Sequence, residues 1–176
     1  MAYRHRRILS LTAIILLLAC TACAPASDIP GEDAPIPVSA DAAARLDAKL
    51  AGLPAGGFQM QIDQQEATSY VALRLGNQFP LASPQVRFLP GEIVLEGDLT
   101  APIRARMRLA GTLQIVAGQI EISVQQASIG RVAIPRFLLA SISDSLTEMA
   151  NDSRGSIDIQ KIEIRSGQIQ ISGRTR

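Results

Sequence analysis

Asp63 and Glu66 are the first pair in the chain whose types and spacing could do chemistry. Two nearby carboxylates can share proton-transfer work. The same Asp-x-x-Glu spacing closes a capping box at the start of a helix, and the cap is the favoured reading. Asp152 and Asp158 flank a loop and a strand start, where solvation explains them. The only histidine is His5, so past the extreme N-terminus no histidine triad or histidine metal site can be built. There is no Gly-x-Ser-x-Gly and no glycine-rich phosphate loop. A Ser–Lys pair would have to use Lys49 or Lys161, and neither stands in a motif. Arg104, Arg106 and Arg108 alternate, so one face of a strand would carry all three cations. The chain is 3% aromatic with no Trp, and no aromatics interleave with these arginines, which speaks against single-strand nucleic acid binding. These residues predict no enzyme, no metal and no cofactor.

The two cysteines, Cys20 and Cys23, carry a different chemistry. Arg4, His5, Arg6 and Arg7 form a basic start, and Ile8 to Ala19 an apolar run too short to span a bilayer. Leu17-Leu18-Ala19-Cys20 then resembles a bacterial lipobox, in which the cysteine thiol takes a diacylglyceryl group and becomes the new N-terminus. Cys20 is the expected attachment point, because Cys23 lacks an aliphatic residue three positions before it. At about 0.8 kcal/mol per buried CH₂, two acyl chains hold a protein on a membrane. Residues 1–19 therefore read as a signal peptide. Residues 20–38 read as the lipidated cysteine and a tether rich in proline: Pro25, Pro30, Pro35 and Pro37. The formal charge of +1 includes three arginines of the signal, so the mature chain is mildly acidic and not a general polyanion binder. Residues 39–176 read as one domain without a disulfide.

The elements that must position any site come from hydrophobic period. Ser39 caps a helix expected from about Ala40 to Leu53, with Leu46, Leu50 and Leu53 on one stripe. Phe58, Met60 and Ile62 alternate with polar residues and predict a strand. A second helix follows the Asp63 cap. Three phrases, "GEIVLE", "GQIEIS" and "GQIQIS", each leave a tight turn. They predict the pairs Phe88 with Ile93, Ile115 with Ile120, and Ile164 with Ile169. Ile103 to Ile115 keep one parity, a single strand of about 14 residues, long beside the usual five or six. The strand before it should set Asp98 against Arg104 and Glu96 against Arg106. Leu138, Leu139, Ile142, Leu146 and Met149 share a broad stripe on a third helix. Ile157 and Ile159 change parity against Ile162 and Ile164, which predicts a bulge near Gln160-Lys161. The class is α+β: a long curved antiparallel sheet built from hairpins, packed against two or three amphipathic helices.

Three stretches carry a resemblance: "EATSYVAL", then "PLASPQVRFLPGEIVLEGDL", then "ASIGRVAIPRFLLASIS" before the last hairpin. They are similar to bacterial LmeA-like phospholipid-binding proteins, related in fold to the TULIP group of lipid carriers. The resemblance covers roughly Ser39 to Gly173, through turn glycines, the G-x-x-x-I-P entry to the third helix and the strand order. It implies half of a TULIP-like arrangement: a long sheet wrapped around a helix, with an apolar groove for acyl chains. The expectation is an extracytoplasmic lipoprotein, anchored by an N-terminal lipid, that binds phospholipid or a similar acyl lipid. The expected groove residues are Phe88, Ile93, Leu95, Met107, Leu109, Leu113, Ile120 and Ile122. Arg104, Arg106 and Arg108 are candidates for anionic headgroups, weighed against a favoured alternative, a solvated sheet face partnered by Glu96 and Asp98. The rival reading is a non-catalytic envelope scaffold with a closed core.

Overall fold

The turns set most of the register. In the computed structural model Phe88 pairs with Ile93 and Val86 with Leu95. Leu113 pairs with Ile122, Ile115 with Ile120, Ile162 with Ile171 and Ile164 with Ile169. Gly91, Gly118 and Gly167 all sit at φ +77°, a left-handed backbone that glycine enters without steric penalty. The structure describes residues 34–76, 81–100, 104–153 and 157–175. The signal segment, Cys20, Cys23 and most of the expected tether lie outside them.

The order is α1 (Ala40–Ala51), β1 (Gly56–Asp63), α2 (Gln64–Arg74), β2 (Leu81–Leu89), β3 (Glu92–Leu99) and β4 (Ala105–Val116), then β5 (Gln119–Ile129), β6 (Val132–Ala133), α3 (Arg136–Ser153), β7 (Ile157–Arg165) and β8 (Gln168–Thr175). The class is α+β. The strands form two antiparallel sheets, however, not one long one: β1-β8-β7 and β2-β3-β4-β5-β6. Local pattern predicts which strands make a hairpin, but not which edge that hairpin then joins. The β7–β8 hairpin joins β1. Its turn is still stitched to the β2–β3 turn, through Gly91 N–H to Ile164 C=O at 3.1 Å and Gly167 N–H to Phe88 C=O at 2.8 Å.

Three bulges bend the strands. The expected one falls at Gln160, between Ile159 and Lys161. A second leaves Gln125 unpaired in β5, and a third sets Ser83 and Pro84 opposite Gly97. Chains approach closely beside them. A Cβ on Gly173 would lie 2.3 Å from the Asp158 carbonyl oxygen, and one on Gly111 2.5 Å from that of Ser123. The β3–β4 register differs from expectation by two residues, with Asp98 opposite Arg106 and Glu96 opposite Arg108. The connection between these strands is longer than a tight turn, because Leu99 pairs with Ala105. A shift of two preserves every side-chain face. β4 has 12 residues, and Ile103 lies outside the described residues.

Residues 35–176 make one compact unit. It takes in the end of the expected tether: Ile36 is buried, and the Gln85 side chain bonds its N–H and C=O. α1 ends two residues before Leu53, at a Gly52 cap, and buries Ala42, Ala43 and Leu46 while Leu50 is exposed. Its small residues admit α2 closely, and α2 buries Glu66, Thr68 and Ser69. The Asp63–Glu66 capping box is present. Glu66, 2% exposed, also binds Lys49 Nζ at 2.6 Å and Arg45 Nε at 3.3 Å. Burial works to raise the Glu66 carboxyl. The Lys49 ammonium, the Asp63 N–H and Arg45 together outweigh it and hold the carboxyl below its usual range.

A depressed carboxyl contributes stability above its unfolded value and loses it as pH falls through the folded one. Glu66→Gln should therefore cost about 1–2 kcal/mol at neutral pH, and its stability should fall less steeply into acid than that of the parent. Urea unfolding across pH checks this, and parallel pH curves for the two proteins would refute it.

Candidate functional site

Alternation along β4 sends Met107, Leu109 and Leu113 to one face of the five-stranded sheet. Ile93 and Leu95 of β3 and Ile122 of β5 share that face through the ladder. The Gln125 bulge resets the parity of β5, so Val124 stands opposite Gly111 and Ala127 opposite Leu109. Two core clusters meet this inner face. Val86, Phe88 and Ile169 centre the first, with Ile93, Leu95 and Leu113 packed against them. Val124, Ala127 and Leu139 centre the second, with Leu109, Ile142 and Leu146. Between them runs a cavity of about 370 Å³. It continues past Met107 to Leu99 and Leu81, a pair at the end of β3 and the start of β2.

The helix α3 borders this cavity from an unusual seat. β6 pairs only with Ser128 and Ile129, which leaves the edge of β5 open before them. Side chains of α3 fill that edge. Ser143 Oγ accepts from Val124 N–H at 2.9 Å, Thr147 Oγ1 from Ile122 N–H at 3.0 Å, and Asn151 Oδ1 from Ile120 N–H at 3.1 Å. Thr147 and Asn151 also donate to the carbonyls of Ile122 and Ile120. The match is geometric. Four helical residues rise about 6 Å, and two strand residues about 6.6 Å. So a polar residue every fourth helix position meets an edge amide every second strand position. Of α3, only Leu146 lines the cavity.

The structure places the expected residues as follows. Ile93, Leu95, Met107, Leu109, Leu113 and Ile122 line the cavity, each half-buried. Phe88 does not, because it is 4% exposed at the centre of the first cluster, between α2 and the three-stranded sheet. Ile120 does not either; it is buried beyond the lining, and its backbone is held by Asn151. Leu81, Leu99, Val124 and Leu146 also line it, with Ala110, Gly111 and Thr112 of β4. Leu99 shares the parity of Ile93 and Leu95, and that was its available signal.

Arg106 and Arg108 alternate with Met107 and Leu109 and so project from the opposite face. Both hold Glu96, Arg106 Nη2 at 2.9 Å and Arg108 Nη1 at 2.5 Å. Partial burial works to raise Glu96, but Arg106, Arg108 and Arg87 hold its carboxyl below the usual range. Arg104 is exposed just before β4. Lys49 is engaged by Glu66, and Lys161 by Glu163. Among the described residues no group of His, Cys, Asp or Glu is placed to hold a metal, and no helix is long and apolar enough to cross a membrane. Among the described residues the cavity wall carries no charged side chain, so it can exclude water from an apolar guest.

No family model matches the chain, and no curated protein matches it.

The seat of α3 is testable. Thr147→Val keeps the shape of the side chain but leaves the Ile122 amide and carbonyl without a partner. It should destabilise the fold by about 1–3 kcal/mol in urea unfolding. Thr147→Ser, which keeps the hydroxyl, should recover most of that loss. Equal stability of the valine variant and the parent would contradict the ladder.

Proposed function

We propose that the chain binds an acyl lipid, a phospholipid or a similar molecule, non-covalently in this cavity, as an extracytoplasmic lipoprotein anchored through Cys20. The observation that carries the reading is a wall of buried and half-buried apolar side chains with one hydroxyl, Thr112, among the described lining residues. Acyl chains have no hydrogen-bonding groups, so they need apolar area and no particular geometry. Each methylene that leaves water contributes about 0.8 kcal/mol. At about 370 Å³ the space is near the lower end of the roughly 300–1,000 Å³ typical of ligand sites. One alkyl chain, with its head left at the rim, suits it better than a whole two-chain lipid. The likeness of residues 39–173 to LmeA-like proteins and the lipobox-like Leu17-Leu18-Ala19-Cys20 support the same reading.

Native mass spectrometry of residues 35–176 tests it. The unit should carry an added mass that denaturation releases as lipid, and the stripped protein should take up added phospholipid. Leu146→Trp fills one end of the space and should weaken uptake by roughly tenfold, the effect of about 1.4 kcal/mol. A clean protein mass with no uptake would sink the lipid reading and favour a closed scaffold.

A further inference from the structure

One end of the five-stranded sheet combines exposed apolar side chains with unbalanced positive charge. Phe137 is 73% exposed, Val132 72% and Leu138 43%. Phe58 and Phe88, by contrast, are buried, so an exposed Phe in a chain this poor in aromatics is notable. The three residues lie together in the fold. β6, with Val132, pairs with the end of β5, and Ile134 N–H donates to the Ala127 carbonyl at 2.8 Å. α3 therefore starts, with Phe137 and Leu138, beside that same end. Arg131 and Arg136 flank them, both exposed. Arg104 belongs to this end too, because Gly130 N–H donates to the Arg106 carbonyl. Arg104, Arg131 and Arg136 make no ion pair among the described residues. Of the nearby carboxylates, Glu96 is taken by Arg106 and Arg108, and Asp98, which shares a cleft with Arg104, leaves the three arginines in excess. Leu81, Leu99 and Met107 bring the cavity to this same end.

We propose that this end, Val132, Phe137 and Leu138 with Arg131, Arg136 and Arg104, docks on an anionic bilayer surface. The apolar side chains enter the headgroup boundary and the guanidinium groups lie against lipid phosphates. Apolar insertion and cationic attraction are the two contributions that hold a protein in a membrane interface. Docking there sets the end of the cavity against the lipid, a path by which a chain could pass without crossing water. The surface does not depend on the cavity being occupied.

The absence of Trp provides the test. Phe137→Trp in the full chain places one indole at the surface. Val116→Trp, at the far end of β4 and also exposed, is the control. Each is bound to vesicles of phosphatidylcholine, with or without phosphatidylglycerol, containing brominated acyl chains. The indole at 137 should shift to the blue and be quenched on phosphatidylglycerol vesicles. It should lose most of that quenching in high salt, or when Arg131→Gln and Arg136→Gln are added. The control indole should stay unquenched. An unquenched indole at 137, equal quenching at both positions, or a blue shift without vesicles that grows with protein concentration would overturn the proposal; the last would mean a protein–protein surface. Lipid mass retained by the same proteins reads the cavity separately, so failure of one does not imitate failure of the other.

Discussion

Helix side chains bond to edge backbone on both sides of the five-stranded sheet, at one residue of β2 and at three of β5, and the seats of the two helices depend on that. At the β2 edge, Thr68 Oγ1 of α2 accepts from Val86 N–H at 2.9 Å and donates to the Val86 carbonyl at 3.2 Å. At the β5 edge, Ser143, Thr147 and Asn151 of α3 accept from the amides of Val124, Ile122 and Ile120, and Thr147 and Asn151 also donate to the carbonyls of Ile122 and Ile120. An open edge is a template for pairing with another chain, and an unpaired buried amide is costly. A strand, a turn or water normally meets those needs. Here hydroxyl and amide side chains meet several of them, beside the Gly167 turn amide on Phe88 and the short strand β6 on the end of β5, and in doing so they tie each helix to its edge.

A helix fixed at an edge cannot also cover the middle of the sheet. α3 gives Leu139 and Ile142 to the cluster on β5 and only Leu146 to the seam beyond it. On the other side, α2 and the three-stranded sheet pack around Phe88 and Ile169. Ile93, Leu95, Leu109 and Leu113 stand between, each touched by one cluster and sealed by neither. Ordinary packing would close such a seam, since every half-exposed Leu forgoes transfer free energy of the order of 1 kcal/mol. The polar ladder keeps α3 at the β5 edge beside it. The apolar cavity lies in the seam that this seating of α3 leaves, and it is there that we propose an acyl chain binds.

Local features were legible in the chain, and remote ones were not. The three hairpins, the Asp63–Glu66 cap and the Gln160 bulge rest on residues a few positions apart, and each is where its spacing puts it. Parity placed Ile93, Leu95, Met107, Leu109, Leu113 and Ile122 on one face, and parity survives a register shift of two. The β3–β4 pairing itself was displaced, because the loop length between Leu99 and Ala105 is not written in alternation. Phe88 has the right parity for the cavity wall and stands in the core. Which neighbour covers a residue depends on how the second sheet docks. The same holds for Ser143, Thr147 and Asn151. Their spacing is visible as a polar stripe, but a polar stripe ordinarily reads as a solvated helix face.

The central claim is that the seam between β3, β4, β5 and α3 takes an acyl chain. Photolabelling with a phospholipid that carries a diazirine along one acyl chain tests it most directly, with adducts mapped by peptide mass. The account predicts adducts on Met107, Leu109, Leu113 and Leu146, suppressed by excess unlabelled lipid. Labelling confined to Phe137 and Val132, or spread evenly over the exposed surface, would contradict it.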